Sequence, residues 1–405
     1  MKRVAAASIL LIIAAMLFSE YRDDPLYWKR RVLSSVFAPM NRPAAYYEPS
    51  EVIAGSNGPS SPRVAPELER LSAKSLETAA GYAAEQGAKA LIVGRHGHIA
   101  YEKYWDGTTF DTVIDAGRFN AALTVMMVGM AMDDRKIALT REPLANYIES
   151  FRERGRENVT IEDLLHMTSG LGPNVPDAEG ARAGAGARDE IARDIRGKCL
   201  EQERVAAPGA RWQPQACDPQ LLAHIIERVS GMQYSQYVSS RLWKPIGAGD
   251  AWLMLDHEGG TAHASCCLRA RIGDWVRIGQ LLVNDGKYEG EQVLPPGWVR
   301  AMLTPSKANP RFGYQVWRGE PFEPGQGASE PYVLEDTFVL KGPGITRLWL
   351  MPAMNLRILL VGGADQTGSD WDDSRIPNLI VRGASDYVPK AATSGADVSN
   401  LVPNH

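Results

Sequence analysis

Residues 121–133, AALTVMMVGMAMD, hold no charged side chain before the last position and show no polar stripe. A surface helix keeps one polar face, so a helix apolar on every side has to be covered on every side. The flanking sequence must supply that cover. Upstream, residues 68–86 show helical spacing with many alanines. Residues 88–93 (AKALIV) and 98–105 (HIAYEKYW) read as two strands joined by a turn at 94–97, which makes a β-hairpin. Downstream, Thr160 is placed as a helix N-cap, with Asp163 three positions on to complement the helix dipole. Ser169-Gly170 ends that helix. Further helices are expected over 220–230, 234–243 and 274–285. Strands return at 333–340, 347–351 and 356–361, with Asn355 in the last turn. The order of strands, a long helical middle and strands again predicts an α/β (α+β) fold. One antiparallel sheet is built from both chain ends and flanked by helices, with a mainly helical region inserted.

The N-terminus carries a different signal. Met1-Lys2-Arg3 is basic, and residues 4–18 (VAAASILLIIAAMLF) are almost wholly apolar. That run is short for a spanning helix, which needs about 20 apolar residues, and it fits an export signal. No A-x-A site follows it. A cleaved signal peptide and an uncleaved inner-membrane anchor are therefore both kept for residues 1–19. In either case the basic end stays in the cytoplasm and the bulk of the chain faces the periplasm. Residues 20–65, rich in Pro, Tyr, Ser and Gly, read as a linker or an extended arm over the surface. Residues 66–385 read as the folded domain, 173–190 as a surface loop and 386–405 as a flexible tail. Lys+Arg 44 nearly balance Asp+Glu 48, with no basic stripe, which excludes nucleic acid as a partner.

The four cysteines fit an oxidising compartment and allow three pairings. Cys199 and Cys217 flank a Pro-Gly loop, and Cys266 and Cys267 are adjacent. Neighbouring cysteines close a strained ring, so a link between the 199/217 and 266/267 regions is expected. Neither Cys-x-x-Cys nor His-x-x-x-His spacing occurs, so no metal site is expected, and no cofactor.

Five segments carry a resemblance to a known family. They are VGMAMDDRKIALTREPLANYI (128–148), VTIEDLLHMTSGL (159–171), APGARWQPQACDPQLLAHIIERVSGMQYSQYVSSRLWKPIGA (207–248), GDWVRIGQLLVNDGKY (273–288) and RLWLMPAMNLRILLVGG (347–363). Over residues 66–365 the chain resembles the serine β-lactamase and penicillin-binding-protein superfamily. Within it, the class C β-lactamase, esterase and 6-aminohexanoate-oligomer hydrolase branch is nearest. The resemblance implies a β-lactamase/transpeptidase-like fold and three motifs. Ser-x-x-Lys opens the buried helix with a nucleophile and its lysine. Tyr-x-Asn on a loop relays protons. Lys-Thr-Gly or His-x-Gly on a strand holds a substrate carboxylate.

This sequence departs from two of the three. Counting back from Val128-Gly129 puts Arg118 at the serine position and Ala121 at the lysine position. Pro214 and Ala216 stand at the tyrosine and asparagine positions. Lys341-Gly342, with Thr346 beyond, keeps a trace of the third motif. Arginine stays protonated and cannot be acylated as serine is, and alanine cannot act as a base. Arg118 either fills the emptied pocket or binds an anion with its fork. Asn120, Lys341 and Gly342 join it as ligand-binding candidates. Ser169 is read as structural, His166 as capping helix carbonyls, and Asp218 as capping the helix at Pro219. Trp212, Trp275, Trp317 and Trp349 are expected in the core. His96, His98, His257 and His263 are expected at the surface.

Three functions fit this pattern. One is a catalytically impaired homologue that binds a small molecule, peptide or cell-wall fragment. The second is a divergent hydrolase using other residues. The third is a structural envelope protein with a collapsed, vestigial pocket.

Overall fold

A computed structural model describes residues 24–172, 193–322, 327–362 and 371–389. The leader expected at 1–19, the loop expected at 173–190 and the tail beyond 389 lie outside the described residues. Among those described, no helix is long and apolar enough to cross a membrane.

Strand Ala88–Arg95 finds partners at opposite ends of the sequence. His98–Tyr104 follows it through the tight turn, and Leu356–Gly362 reaches it from the far end of the chain. The six-stranded antiparallel sheet continues outward through Arg347–Met351, Phe338–Lys341 and Trp317–Arg318. It is thus built from both chain ends, as the order of elements predicts. Alternate residues of a strand point to opposite faces, and the side chains here divide accordingly. Leu91, Val93, Ile358, Leu360, Trp349 and Met351 meet helices Ala73–Glu85 and Arg375–Arg382 on one face. Ile92, Leu348, Leu350, Leu359 and Val361 face the main core on the other.

That main core surrounds helix Phe119–Asp133, whose residues are buried from Phe119 through Ala131. Gly129 lets Trp298 lie directly on this helix: a Cβ there would sit 2.5 Å from the indole. The indole Nε1 donates to the Val125 carbonyl at 3.2 Å. Helix Ile161–Leu165 opens with the expected Thr160–Asp163 pair, as a reciprocal capping box.

A second, four-stranded antiparallel sheet runs Ser50–Ile53, Ala251–Met254, Leu268–Arg271, Val113–Asp115. Its edge strand comes from the segment expected as an arm. That segment also carries helix Pro25–Val36. Arg30 of this helix is fully buried and donates to the carbonyls of Tyr46, Glu48, Leu255 and Asp256. Five donors in a fixed fork suit a cluster of carbonyls, and this one pins the arm onto the domain.

The cysteine expectation is corrected. Cys199 bonds Cys217, and Cys266 bonds its neighbour Cys267, rather than the two regions being cross-linked. Helices Ile195–Glu201 and Cys217–Ser230 pack side by side, which brings the first pair within reach. Cys267 adopts a left-handed backbone, φ 66°, in the turn that closes the second.

Candidate functional site

The three degenerate motif positions come together in space. A cavity of about 260 Å³ is lined by Arg118, Met167, Trp212, Pro214, Phe312, Gln315, Trp317, Leu340 and Lys341. Arg118 sits at the N-cap of the buried helix and is exposed. Strand Phe338–Lys341 runs beside it, and Gly342 allows the contact. A Cβ on Gly342 would lie 2.9 Å from the Ala116 carbonyl. The loop carrying Trp212 and Pro214 docks through Gln213 N–H to the Met167 carbonyl (2.8 Å) and Gly209 N–H to Thr168 (2.8 Å).

Lys341 does not stand alone. Its Nζ lies 2.7 Å from Asp373 Oδ2, while Arg347 Nε (2.8 Å) and Trp371 Nε1 (2.8 Å) meet Oδ1. Burial by itself would raise the Asp373 carboxyl. Arg347 and Lys341 overcome it and hold the group below the usual carboxylate range. The Lys341 ammonium also lies 5.2 Å from the centre of the Trp317 ring. Trp212, Phe312 and Trp317 meet edge to face, with ring centres 5.2–5.4 Å apart. Trp212 and Trp317, expected in the core, are therefore pocket walls. Trp275 and Trp349 are core.

Several other candidates sit elsewhere. Asn120 points away from the cavity. Its side-chain amide donates to the carbonyls of His263 (2.7 Å) and Cys266 (2.9 Å). Ala121 is buried in the core, and Ala216 is the N-cap residue of Cys217–Ser230. Asp218 lies inside that helix rather than capping it. Ser169 Oγ (2.7 Å) and Gln215 Nε2 (2.8 Å) both donate to its Oδ1. Full burial pushes the Asp218 carboxyl well above its ordinary range. Ser169 is buried in this contact, away from the cavity. The Leu164 and Leu165 carbonyls are capped by Gln315 Nε2, not by the His166 ring, which packs edge-on against Tyr314.

The histidines also divide. His96 and His98 share the buried carboxylate of Glu69 through their Nδ1 atoms, at 2.7 and 2.5 Å. His263, expected at the surface, is fully buried. Sequence spacing could not find Met167, Phe312, Gln315 or Asp373, because each belongs to a segment remote from the three motifs. The one available signal was Trp212, two residues before Pro214.

Residues 78–360 match the family model described as Beta-lactamase. Over 85 residues the chain is 35% identical to the 6-aminohexanoate-dimer hydrolase of Paenarthrobacter ureafaciens, covering 20% of this chain and 21% of that protein. Over 129 residues it is 27% identical to a Bacillus subtilis (strain 168) protein described as a penicillin-binding protein, covering 32% of this chain and 30% of that one. The matched stretches span less than a third of either relative. A Bacillus anthracis structure described as a 6-aminohexanoate-dimer hydrolase superposes with a TM-score of 0.67 at 19% identity, over 90% of this chain and 95% of that one. At that identity the likeness speaks for the fold alone.

Proposed function

We propose, from the premise that this chain belongs to the Beta-lactamase family, that its pocket binds an anionic, partly apolar ligand without being acylated. One observation carries the reading. Among the described residues lining the cavity there is no serine, threonine or cysteine. Acyl transfer by the family route needs a nucleophile in contact with a base, and Arg118 and Ala121 occupy those positions. The walls suit binding. Trp212, Phe312, Trp317, Met167 and Leu340 offer an apolar surface to a ligand's body. Lys341 and Arg347 share the single carboxylate of Asp373, which leaves the cluster beside the cavity with a net positive charge. Arg118 lines the same cavity with a guanidinium fork whose shape fits a carboxylate or phosphate. A peptide or cell-wall fragment ending in a carboxylate has this chemistry. Export to the periplasm, with or without a retained membrane anchor, belongs to the same reading and is supported by the sequence of residues 1–18.

The hydrolase descriptions of the relatives favour a second reading, a divergent hydrolase using other residues. The open cavity weighs against the third, a collapsed vestigial pocket. Intact-protein mass spectrometry after incubation with a fluorophosphonate and with a fluorescent penicillin separates the first two. No adduct is expected. A stoichiometric adduct at any residue overturns the non-acylating reading in favour of the second.

A further inference from the structure

A different part of the molecule gathers soft metal ligands. His263, Cys266 and Cys267 are all buried, and their ligand atoms lie within 4.8 Å of one another. Neither ring nitrogen of His263 has a hydrogen-bond partner among the described residues. A buried polar group left unpaired costs about 1–3 kcal/mol, so an imidazole placed this way needs a reason. Around it the loop is tightly held. Asn120 ties the His263 and Cys266 carbonyls, Thr124 Oγ1 the Ala264 carbonyl, and Gln220 the Ala262 carbonyl and the Ala264 N–H. Tyr46 and Tyr47 of the N-terminal arm, with Met254, pack over the two sulfurs.

We propose that in the dithiol state His263, Cys266 and Cys267 form a three-ligand site for Zn²⁺. The step balances with a dithiol as reductant. One of its thiolates attacks a cysteine sulfur and breaks the Cys266–Cys267 bond. Its second sulfur then closes on the first, so the reductant leaves as a disulfide and its two electrons and two protons stay on the cysteines. Zn²⁺ next displaces those two protons, while neutral His263 contributes a lone pair and releases none. Two thiolates and one Zn²⁺ sum to zero charge, which suits a buried location. Three donors on a tetrahedral Zn²⁺ stand roughly 3.6–3.8 Å apart, given Zn–S and Zn–N lengths of about 2.3 and 2.1 Å. The histidine's ligand atom lies within 4.8 Å of both sulfurs, and opening the S–S bond frees the two sulfurs to separate around the ion. Cys₂His with an open fourth position is an established zinc donor set.

The test uses the full chain carrying Cys199→Ser and Cys217→Ser, which leaves only the second bridge. Equilibrium dialysis against Zn²⁺ is run before and after reduction with a phosphine. Co²⁺ substitution then reads thiolate ligation by its charge-transfer absorption. The reduced protein is expected to bind one Zn²⁺ per chain and to melt higher with it. The oxidised protein is expected to bind none. His263→Gln should weaken binding at least tenfold and alter the Co²⁺ spectrum, and Cys266→Ala with Cys267→Ala should abolish both. Near-UV circular dichroism confirms that each variant is folded. A reduced parent that takes up no Zn²⁺ overturns the proposal. So does undiminished binding in the double alanine variant or, where it folds, in His263→Gln.

Discussion

Arg118 and Asn120 lie two residues apart at the start of one helix and serve two different regions. Arg118 is exposed and reaches the open cavity, while Asn120 is buried and holds the loop of His263 and Cys266. At the cavity, Lys341, Arg347 and Trp371 converge on one carboxylate, and the described lining has no hydroxyl or thiol. The loop has sulfur and imidazole, packed beneath the N-terminal arm, with the imidazole unpaired. In this molecule the reactive side chains and the ligand-sized space have come apart. On the proposed non-acylating reading, the fold keeps its binding cavity without the family's nucleophile, because walls and nucleophile are set by different residues.

Three substitutions sharpen that contrast. The largest effect is expected from Asp373→Asn, which leaves two partly buried cations without their shared buried anion and should cost about 3 kcal/mol in urea unfolding at neutral pH. The pH dependence gives the sign. The folded pKa of Asp373 lies below its unfolded value of about 3.9. Its contribution is therefore present above that value and is lost as pH falls through the folded pKa. The gap between parent and variant should close on acidification, and a gap that stays constant to low pH would refute the ion-pair account.

Asn120→Ala is expected to come next. Removing its two donated bonds strands two buried carbonyls, for about 2–3 kcal/mol. The variant should also reduce faster at Cys266–Cys267, measured by thiol alkylation over time, while ligand affinity at the cavity stays unchanged. A loss of affinity there would break the separation of the two regions.

Arg118→Ala should be nearly silent in stability, within about 0.5 kcal/mol as for other exposed side chains. Its effect belongs to binding. Tryptophan fluorescence titrated with N-acyl amino acids should show weaker affinity for carboxylates and little change for the matching amides. Equal loss for both would mean that Arg118 shapes the wall rather than reading charge.

Much of the scaffold was legible in residue order. The apolar run at 121–133 required a buried helix, and the capping pair Thr160–Asp163 marked a true helix start. The hairpin at 88–104 showed in its turn and alternation. Less of the candidate site could be read. Arg118, Pro214 and Lys341 were placed together by their motif positions, but Asn120 was assigned to the wrong side of its helix. Two helical steps, about 200°, separate pocket-facing Arg118 from core-facing Asn120, and sequence does not say where that boundary falls. Trp212 and Trp317 show the same limit, since an indole suits a core and a pocket wall equally well.

By itself the sequence determined what depends on neighbours along the chain: burial on all sides of one helix, strand periodicity, caps, and the replacement of serine and lysine by Arg118 and Ala121. The tertiary structure decided what depends on partners across it. It paired Cys199 with Cys217 and Cys266 with Cys267, delivered Asp373 to Lys341, pinned Arg30 to four carbonyls, and buried His263. The physical reason is one of range. Periodicity and capping act over a few residues of backbone, whereas these partners meet only after every intervening element has packed.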